Sequence, residues 1–532
     1  MTPLDLATAL DHLRGEIADG RIAPAVQGLI ARLEVGRAGV PEWIAAGEQL
    51  LQAHAPAAVA FLDAGTRRWP SATSLRYLLG NGLRMSGRAR DAETELRRVV
   101  AAEPAHADAS TSLAYLLREQ GRMSELAQVI VDLWRNSPRS RAGDVRTLLF
   151  LRECQRHVEA EALLPAMLAA HPGDAQLQTL GGETALALGR FGEAQRRFQN
   201  ALAVDPAQAA AWLRLAHTHR FTSVDDPDLL ALKKANARND LDDESRVCIG
   251  FGLGKALDDL AEYAGAAEVL RSANARQRAR RTWDAQGWER FIDAQMRSAA
   301  IPAAPIIAGI TPVFVVGMPR SGTTLVASLL ARDALVRNRS ELNWIAAFAG
   351  HLGPAPSAAA LAMAGQAYLT QLRQDDPPAQ LYIDKNPLNF RHLGLIAAMF
   401  PHARIVHCVR DPRDIALSLW SQHFAHEDLA WAYDFADIAA FSRGHSRLMS
   451  HWRARLSVPI FELDYAALVA EPAALFGRLR EFLGLAAVDD SEPAAGDAAI
   501  ATASVWQARQ QIYATSVGRW RHYAPFLPEL EA

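Results

Sequence analysis

The sequence has few cysteines and no excess of charge of either sign. Its three cysteines, Cys154, Cys248 and Cys408, lie far apart along 532 residues. An odd number without a C-x-x-C pair argues against a disulfide framework or a zinc site and favours a reducing compartment. Lys plus Arg number 56 and Asp plus Glu 59, a formal net charge of -3. This balance argues against a nucleic-acid binder or a polybasic membrane binder.

The sequence also lacks a leader and an uninterrupted membrane span. Its first residues, MTPLDLATALDHLRGE, contain no basic stretch followed by an apolar core, so we expect no signal peptide. One uncharged run, Ile301–Met318, holds three prolines and two glycines, which do not suit a spanning helix. We therefore predict a linker over 301–310 that leads into a buried strand, in a soluble cytoplasmic protein.

A period of 34 residues runs through the first half of the chain. It is marked by prolines, by a turn pair that is usually Gly-Arg, and by small or apolar residues five positions after that pair. The members are Pro70, Pro104, Pro138, Pro172 and Pro206; Gly87-Arg88, Gly121-Arg122, Gln155-Arg156 and Gly189-Arg190; and Ala92, Leu126, Ala160 and Ala194. This period and these markers are typical of tetratricopeptide repeats, in which each unit is a helical hairpin.

The physical basis of the period is a stack of hairpins that share one core. The turn glycine takes a left-handed backbone conformation, and the proline ends the second helix. We predict an all-helical array over 1–300, with the best-defined repeats over 39–240 and a degenerate unit over about 245–280. The array either serves as a structural support or forms a groove that binds a peptide or partner protein. We favour the groove, because repeat arrays of this kind mostly bind proteins.

A different pattern begins at Thr311 and indicates a phosphate-binding loop. Val313–Val316 suits a buried strand, the loop Gly317–Thr324 follows, and Leu325–Leu330 has a helical pattern. Backbone N–H groups at such a helix start bind phosphate. Thr323 stands where a nucleoside triphosphatase has its lysine, which leaves Arg320 as the cation of the loop. The loop therefore suits a phosphate group without a triphosphate tail, although a plain tight turn is the alternative.

A second anion-binding signal follows the strand predicted over Arg404–Val409. Arg410 stands at the end of this strand, and Ser418 lies two turns into the next helix. Ligands of open α/β sheets bind at the carboxyl ends of the strands. We therefore expect both side chains to reach one anion, with an ordinary salt-bridged helix start as the alternative.

Together these residues resemble the sulfotransferase family, which transfers sulfuryl from 3′-phosphoadenosine 5′-phosphosulfate (PAPS), over about Thr311 to Tyr523. The branch that looks most similar is the tyrosylprotein sulfotransferases, together with bacterial proteins that join tetratricopeptide repeats to such a domain. The resemblance implies a P-loop-like α/β domain with a central parallel sheet over 311–532. It also implies that the 5′-phosphosulfate is bound by a loop of five residues, Arg320, Ser321, Gly322, Thr323 and Thr324. Arg410 and Ser418 would bind the 3′-phosphate.

The resemblance further implies roles for five residues outside these two signals. Glu341 is the candidate general base, and Lys385 would lie near the leaving group. Tyr465 would line the nucleotide site, Ser504 would support the transition state, and Arg519 belongs to a basic stretch over the cofactor. Glu341 could instead be an ordinary helix-start acid, and Lys385 could belong to a surface turn.

Other sulfotransferase branches use a histidine as the base, so His392, His407 and His423 are alternatives to Glu341. The reaction needs in-line geometry and neutralised charge, and no metal is expected. The predicted function is PAPS-dependent sulfation of a hydroxyl, plausibly a tyrosine of a peptide held by the array. The alternatives are a small-molecule, lipid or glycan acceptor, a P-loop kinase or nucleotidase, and a non-catalytic nucleotide-binding scaffold. The sequence does not predict an oligomeric state.

Overall fold

The computed structural model of the protein describes residues 15–16, 21–299, 301–305, 310–424, 426–486 and 516–531. The chain divides into two compact units, Met1–Arg156 and His157–Ala532. The predicted linker over 301–310 separates repeat sequence from sheet sequence, and the compact units divide earlier, within the array.

The N-terminal unit is a stack of antiparallel helices. They are α1 (Ile22–Val35), α2 (Val40–Ala53), α3 (Ala55–Arg68), α4 (Thr73–Met85), α5 (Ala89–Ala102), α6 (Ala107–Glu119), α7 (Met123–Asn136) and α8 (Arg141–Glu153). The small marker residues allow the helices to approach closely, since a Cβ on Gly80 would lie 2.8 Å from Leu96 Cγ. Trp43 is 1% exposed and stacks on Phe61 at 4.6 Å between ring centroids, in a core of this unit.

The predicted left-handed turns are confirmed. Gly87, Gly121 and Gly189 have φ of +74°, +68° and +75°. Gln155, which stands at the same place in its repeat, has φ of +57°. The period therefore fixes the backbone of the turn even where the residue is not glycine, at the steric cost that a Cβ brings in this region.

The C-terminal unit begins with further repeat helices and continues into a parallel sheet. Its repeat helices are α9 (His157–Ala170), α10 (Ala175–Ala187), α11 (Phe191–Val204), α12 (Ala209–Leu215), α13 (Pro227–Asn236), α14 (Asp243–Asp259), α15 (Tyr263–Arg280) and α16 (Ala285–Arg297). The strands are β1 (Thr311–Gly317), β2 (Val336–Asn338), β3 (Leu381–Asp384), β4 (Arg404–Val409) and β5 (Ile460–Asp464). The remaining helices are α17 (Thr323–Leu330), α18 (Trp344–Leu352), α19 (Ala358–Arg373), α20 (Leu393–Met399), α21 (Pro412–Trp420), α22 (Phe435–Arg455), α23 (Tyr465–Ala470), α24 (Pro472–Leu483) and α25 (Trp520–Tyr523), with 3₁₀ turns at Pro387–His392, Glu427–Tyr433 and Pro528–Leu530.

The described strands form a five-stranded sheet in the order β2-β3-β1-β4-β5, and every pair is parallel. The predicted fold class, a helical repeat array followed by an α/β domain with a central parallel sheet, is therefore confirmed. In the register, Phe314 pairs with Asp384 and Gly317 pairs with Cys408. Because the strands are parallel, the loops after β1, β3 and β4 lie at one edge of the sheet.

The last repeat helices share a core with the sheet domain. Trp288 of α16 stacks on Phe441 of α22 at 4.3 Å between centroids. Asn274 of α15 donates to the carbonyl of Trp420 at 2.9 Å. The end of the array therefore forms part of the C-terminal unit and supports one side of the sheet domain.

Candidate active site

The loop after β1 has a backbone that requires its glycines. Gly317 and Gly322 have φ of +148° and +100°, and Arg320 between them has φ of +74°. A Cβ on Gly317 would lie 2.5 Å from the carbonyl oxygen of Cys408, and a Cβ on Gly322 would lie 2.5 Å from Cδ2 of Tyr465. The loop is therefore pressed against β4 and α23, which is why these two positions of the motif are glycine.

Side chains from the two predicted anion signals meet at this loop. Arg320 Nε donates to Ser418 Oγ at 2.9 Å, and Arg410 Nη1 donates to the Arg320 carbonyl at 3.1 Å. These contacts join residues 90 and 98 positions apart. Arg320 of the loop therefore contacts both residues of the second signal, and the binding of one anion by Arg410 and Ser418 stays a prediction.

The loop holds an unused polar atom in its interior. Ser321 is 0% exposed, and its Oγ has no hydrogen-bond partner among the described residues. A buried hydroxyl without a partner is costly, and a phosphate oxygen would satisfy it. Thr323 is buried and Thr324 half-buried at the start of α17. That this loop binds the 5′-phosphosulfate stays a prediction.

Tyr465 and the chain around Ser516 close the other side of Arg410. The Arg410 guanidinium lies 4.8 Å from the ring centroid of Tyr465. The Tyr465 hydroxyl lies 2.8 Å from Ser516 Oγ, and Arg410 Nη2 donates to the Ser516 carbonyl. Sequence analysis did not single out Ser516, because a lone serine carries no spacing signal.

Lys385 and Glu341 form an ion pair at the ends of β3 and β2. Lys385 Nζ donates to Glu341 Oε1, and the Lys385 N–H donates to the Ser340 carbonyl at 2.8 Å. The lysine side chain is 2% exposed, whereas that of Glu341 is 51% exposed. Lys385 therefore does not belong to a surface turn, the alternative that the sequence left open, because its side chain is buried against the Glu341 carboxylate. Glu341 keeps an open side toward solvent.

Asp384, which sequence analysis missed, organises the residues around this pair. It is 1% exposed and accepts hydrogen bonds from Tyr368 Oη at 2.6 Å, Asn389 Nδ2 at 2.8 Å and the Leu342 N–H at 3.3 Å. Burial raises the pKa of Asp384 to about 7, although these hydrogen bonds act in the opposite direction. The sequence offered no signal for Asp384, since two of its three donors, Tyr368 and Leu342, lie 16 and 42 positions away.

The histidine alternatives lie in buried surroundings of their own. His407 contacts His445 at 3.2 Å between Nε2 atoms and Arg453 at 2.8 Å through Nδ1. Burial lowers the pKa of His407 to about 2, and that of His392 and His423 to about 4. Such weakly basic imidazoles are poor proton acceptors. Glu341 is the base candidate that contacts another predicted catalytic residue.

The remaining predicted residues are Ser504 and Arg519. Ser504 lies outside the described residues. Arg519 pairs with Asp258 of α14 at 2.8 Å and lies 5.7 Å from the Tyr523 ring centroid. The position of Arg519 over the nucleotide therefore stays a prediction.

Two side-chain groups among the described residues have the composition of metal ligands, and neither includes a residue of the loop. They are Glu244, Cys248 and His423, and His219, Asp226 and Asp228. Glu244 accepts from Arg280 at 2.6 Å, and Asp228 accepts from Gln195 and Gln199 at 2.6 and 2.8 Å. These carboxylates already have protein donors, so we assign no metal to either group.

The comparisons with known proteins agree with this arrangement. Residues 312–490 match the model of the sulfotransferase family. These residues form a sulfotransferase domain. Residues 77–130 and 179–220 match the tetratricopeptide repeat model. The chain thus combines tetratricopeptide repeats with a sulfotransferase domain.

One curated relative and two solved structures resemble parts of the chain. An uncharacterized protein of Aquifex aeolicus (strain VF5) is 31% identical over 312 residues, which are 53% of this chain and 41% of the relative. The sulfotransferase domain of the Synechococcus PCC 7002 olefin synthase covers 41% of this chain and 90% of its own, with 18% identity and a TM-score of 0.31. YrrB, a tetratricopeptide repeat protein with an unusual peptide-binding site, covers 39% of this chain and 96% of its own, with 14% identity and a TM-score of 0.26. The assignment of the sulfotransferase domain therefore rests on the family model.

Helices that could cross a membrane are absent from the described part of the chain, since none combines sufficient length with sufficient apolar character.

Proposed function

We propose that the protein transfers sulfuryl from PAPS to a hydroxyl group of an acceptor. The observation that carries the donor assignment is the meeting of Arg320, Ser418 and Arg410 beside the buried Ser321 hydroxyl. A nucleotide with separate 5′ and 3′ anionic groups suits two guanidinium groups that follow different strands. The absent loop lysine disfavours a nucleoside triphosphate, because that lysine contacts the β- and γ-phosphates.

The ion pair supplies the groups that sulfuryl transfer needs. In this proposal Glu341 accepts the proton of the attacking hydroxyl, and its exposed side faces an incoming acceptor. The acceptor oxygen forms a bond to sulfur as the bond from sulfur to the bridging phosphate oxygen breaks. Lys385 and Arg320 stabilise the charge that grows on the leaving phosphate. Arg410 and Ser418 bind the 3′-phosphate and fix the nucleotide for in-line transfer.

We further propose that the acceptor is a tyrosine of a peptide or protein bound by the repeats. The N-terminal unit exposes apolar side chains at matching places in successive repeats. Tyr115 and Leu149 are one period apart and 37% and 48% exposed. Met85, four positions after the matching place in the preceding repeat, is 58% exposed. Ion pairs flank them, Arg84 with Glu119 at 3.0 Å and Arg118 with Glu153 at 3.4 Å. An apolar stripe with charged edges suits a polypeptide better than a sugar.

The donor is tested by calorimetric titration with 3′-phosphoadenosine 5′-phosphate, with ATP and magnesium as comparison. We expect tight binding of the bisphosphate alone and loss of binding in Arg410→Ala. Arg413→Ala is the matched control, because Arg413 lies on the same turn and pairs with Asp411 at 2.9 Å. A preference for ATP, or equal losses in both variants, would reject the donor assignment.

The acceptor is tested with PAPS labelled in its sulfate group. Acidic peptides that contain tyrosine are compared with their phenylalanine counterparts, and with lipid and glycan alcohols. We expect label on the tyrosine peptides alone. Labelled lipid or glycan with unlabelled peptide would reject the tyrosine proposal and leave the donor proposal intact.

A further inference from the structure

The chain from Ser516 to Tyr523, here called the C-terminal segment, touches the proposed nucleotide residues at its start. Ser516 contacts Arg410 through its carbonyl and Tyr465 through its hydroxyl. Asp414, which is 2% exposed, accepts from the Gly518 N–H at 2.7 Å and the Trp520 N–H at 3.0 Å. The first half of the segment is therefore tied to α21 and to the wall of the nucleotide site.

The second half of the same segment is tied to the repeat array. One carboxylate oxygen of Asp258, on α14, accepts from Arg519 Nη2 at 2.8 Å and from the Tyr523 hydroxyl at 2.7 Å. His522 stacks on Tyr263 at the start of α15, with 5.0 Å between ring centroids. The segment thus spans from the last repeat to Arg410.

The contact with Asp258 is enclosed. Tyr523 is 0% exposed, and the Asp258 and Arg519 side chains are 18% and 27% exposed. Burial, and then the charge of Asp258, raises the pKa of Tyr523, so its hydroxyl stays a donor. Hydrogen bonds to a charged group in such surroundings are stronger than neutral ones. The carboxylate therefore fixes where the segment turns.

We propose that Asp258 is a positioning residue for the nucleotide site. It acts through Arg519 and Tyr523, which hold the C-terminal segment so that Ser516 meets Arg410 and Tyr465. A residue of the repeat array thereby sets the affinity of the sulfotransferase domain for its nucleotide. The proposal rests on the donor assignment above and adds the last repeat to the site.

The test is the affinity of the full chain for 3′-phosphoadenosine 5′-phosphate. We expect Asp258→Asn to weaken binding about tenfold, the loss of roughly one charge-assisted hydrogen bond. The KM for PAPS should rise by the same factor, while kcat at saturating PAPS stays within about twofold, since Asp258 touches neither reactant. Glu529→Gln is the matched control, because it breaks another ion pair between α15 and the C-terminal residues, with Arg271 at 2.6 Å.

A double-variant cycle separates positioning from general destabilisation. In the Arg519→Ala background, Asp258→Asn should weaken binding clearly less than in the wild-type chain, because only the Tyr523 hydrogen bond is left for it to perturb. Additive losses, or unchanged affinity in Asp258→Asn, would overturn the proposal. If Asp258→Asn does not fold, Tyr523→Phe decides instead, since it removes only the shared hydroxyl, and unchanged affinity there overturns the proposal. A wild-type chain that does not bind the bisphosphate rejects the donor assignment itself.

Discussion

At the scale of single residues, the chemistry depends on a lysine that is buried and a glutamate that is open. Lys385 cannot reach solvent, so Glu341 is its charge partner before an acceptor arrives. In the proposed reaction, an acceptor hydroxyl that approaches Glu341 would also approach the cation that neutralises the leaving group. The pair would then couple proton removal to charge stabilisation at one place.

Glu341→Gln should lower kcat by about 10²–10⁴-fold, because the amide cannot accept the acceptor's proton. Affinity for 3′-phosphoadenosine 5′-phosphate should change less than threefold, because Glu341 contacts Lys385, and the neutral glutamine leaves the charge of this lysine in place. Steady-state kinetics and titration of the same preparation check both statements. Glu427→Gln, an exposed glutamate of the same domain, should be neutral. Normal turnover in Glu341→Gln would move the base role elsewhere.

Asp384 predicts a pH dependence of stability. Its folded pKa of about 7 lies above the usual value of 3.8, so the folded state holds the proton more tightly. Its contribution to stability is complete below about pH 4 and is lost as the pH rises to about 7, with a slope of at most about 1.4 kcal/mol per pH unit. Asp384→Asn should remove this part of the pH dependence of stability, which thermal unfolding measured from pH 4 to 8 would show. A wild-type profile that Asp384→Asn leaves unchanged contradicts the raised pKa.

Sequence reasoning found the charged residues that stand at strand ends and in the glycine loop. It missed the acids that hold other side chains in place through hydrogen bonds. Arg320 and Arg410 could be predicted because a glycine loop or a strand end fixes where they lie. Asp384 and Asp258 could not, because their partners are Tyr368, Asn389 and Arg519, brought together only by packing. Their burial depends on the whole domain and leaves no local pattern.

At the scale of elements, the loop between β1 and α17 works through its close fit to α23. Gly322 has φ of +100°, and a Cβ there would meet the Tyr465 ring. The strand, loop and helix were each predictable from local patterns. The contact with Tyr465 was not, since 143 residues of chain separate the two.

Gly322→Ala should weaken binding of 3′-phosphoadenosine 5′-phosphate at least tenfold, since the methyl group displaces Tyr465 and strains the loop. Titration of the purified variant measures this. Gly477→Ala on α24 is the control, because a Cβ there meets nothing within 4 Å. That change should leave affinity unaltered and raise helix stability by about 0.5–1 kcal/mol. Equal affinities in both variants would contradict the packing argument.

At the scale of the whole molecule, two of the three buried cores among the described residues lie in different parts of the chain. One contains Trp43 of the N-terminal unit, and the other contains Trp288 together with the sheet domain. The 34-residue period predicts one continuous array. It could not predict where the compact units divide, because repeat markers are the same on both sides of Arg156.

Scanning calorimetry should therefore show two transitions that respond to different substitutions. Trp43→Ala should destabilise the N-terminal unit by about 3–5 kcal/mol through the cavity it leaves, without loss of nucleotide affinity. Trp288→Ala should lower the other transition by a similar free energy. A single transition that both substitutions shift alike would contradict independent cores.

Residues at the same place in the 34-residue period are exposed in the N-terminal unit and buried in the C-terminal unit. Tyr115 and Leu149 are exposed, whereas Phe251, which stands three periods after Leu149, is 1% exposed and packs near His423 and Tyr433. For protein engineering, this means that not every repeat can be exchanged for another. If the repeats bind the acceptor as proposed, hairpins that precede Arg156 are the ones to exchange, whereas α14 shares a core with the sheet domain. A chimera joined at the linker over 301–310 would remove the surface on which the sulfotransferase domain folds.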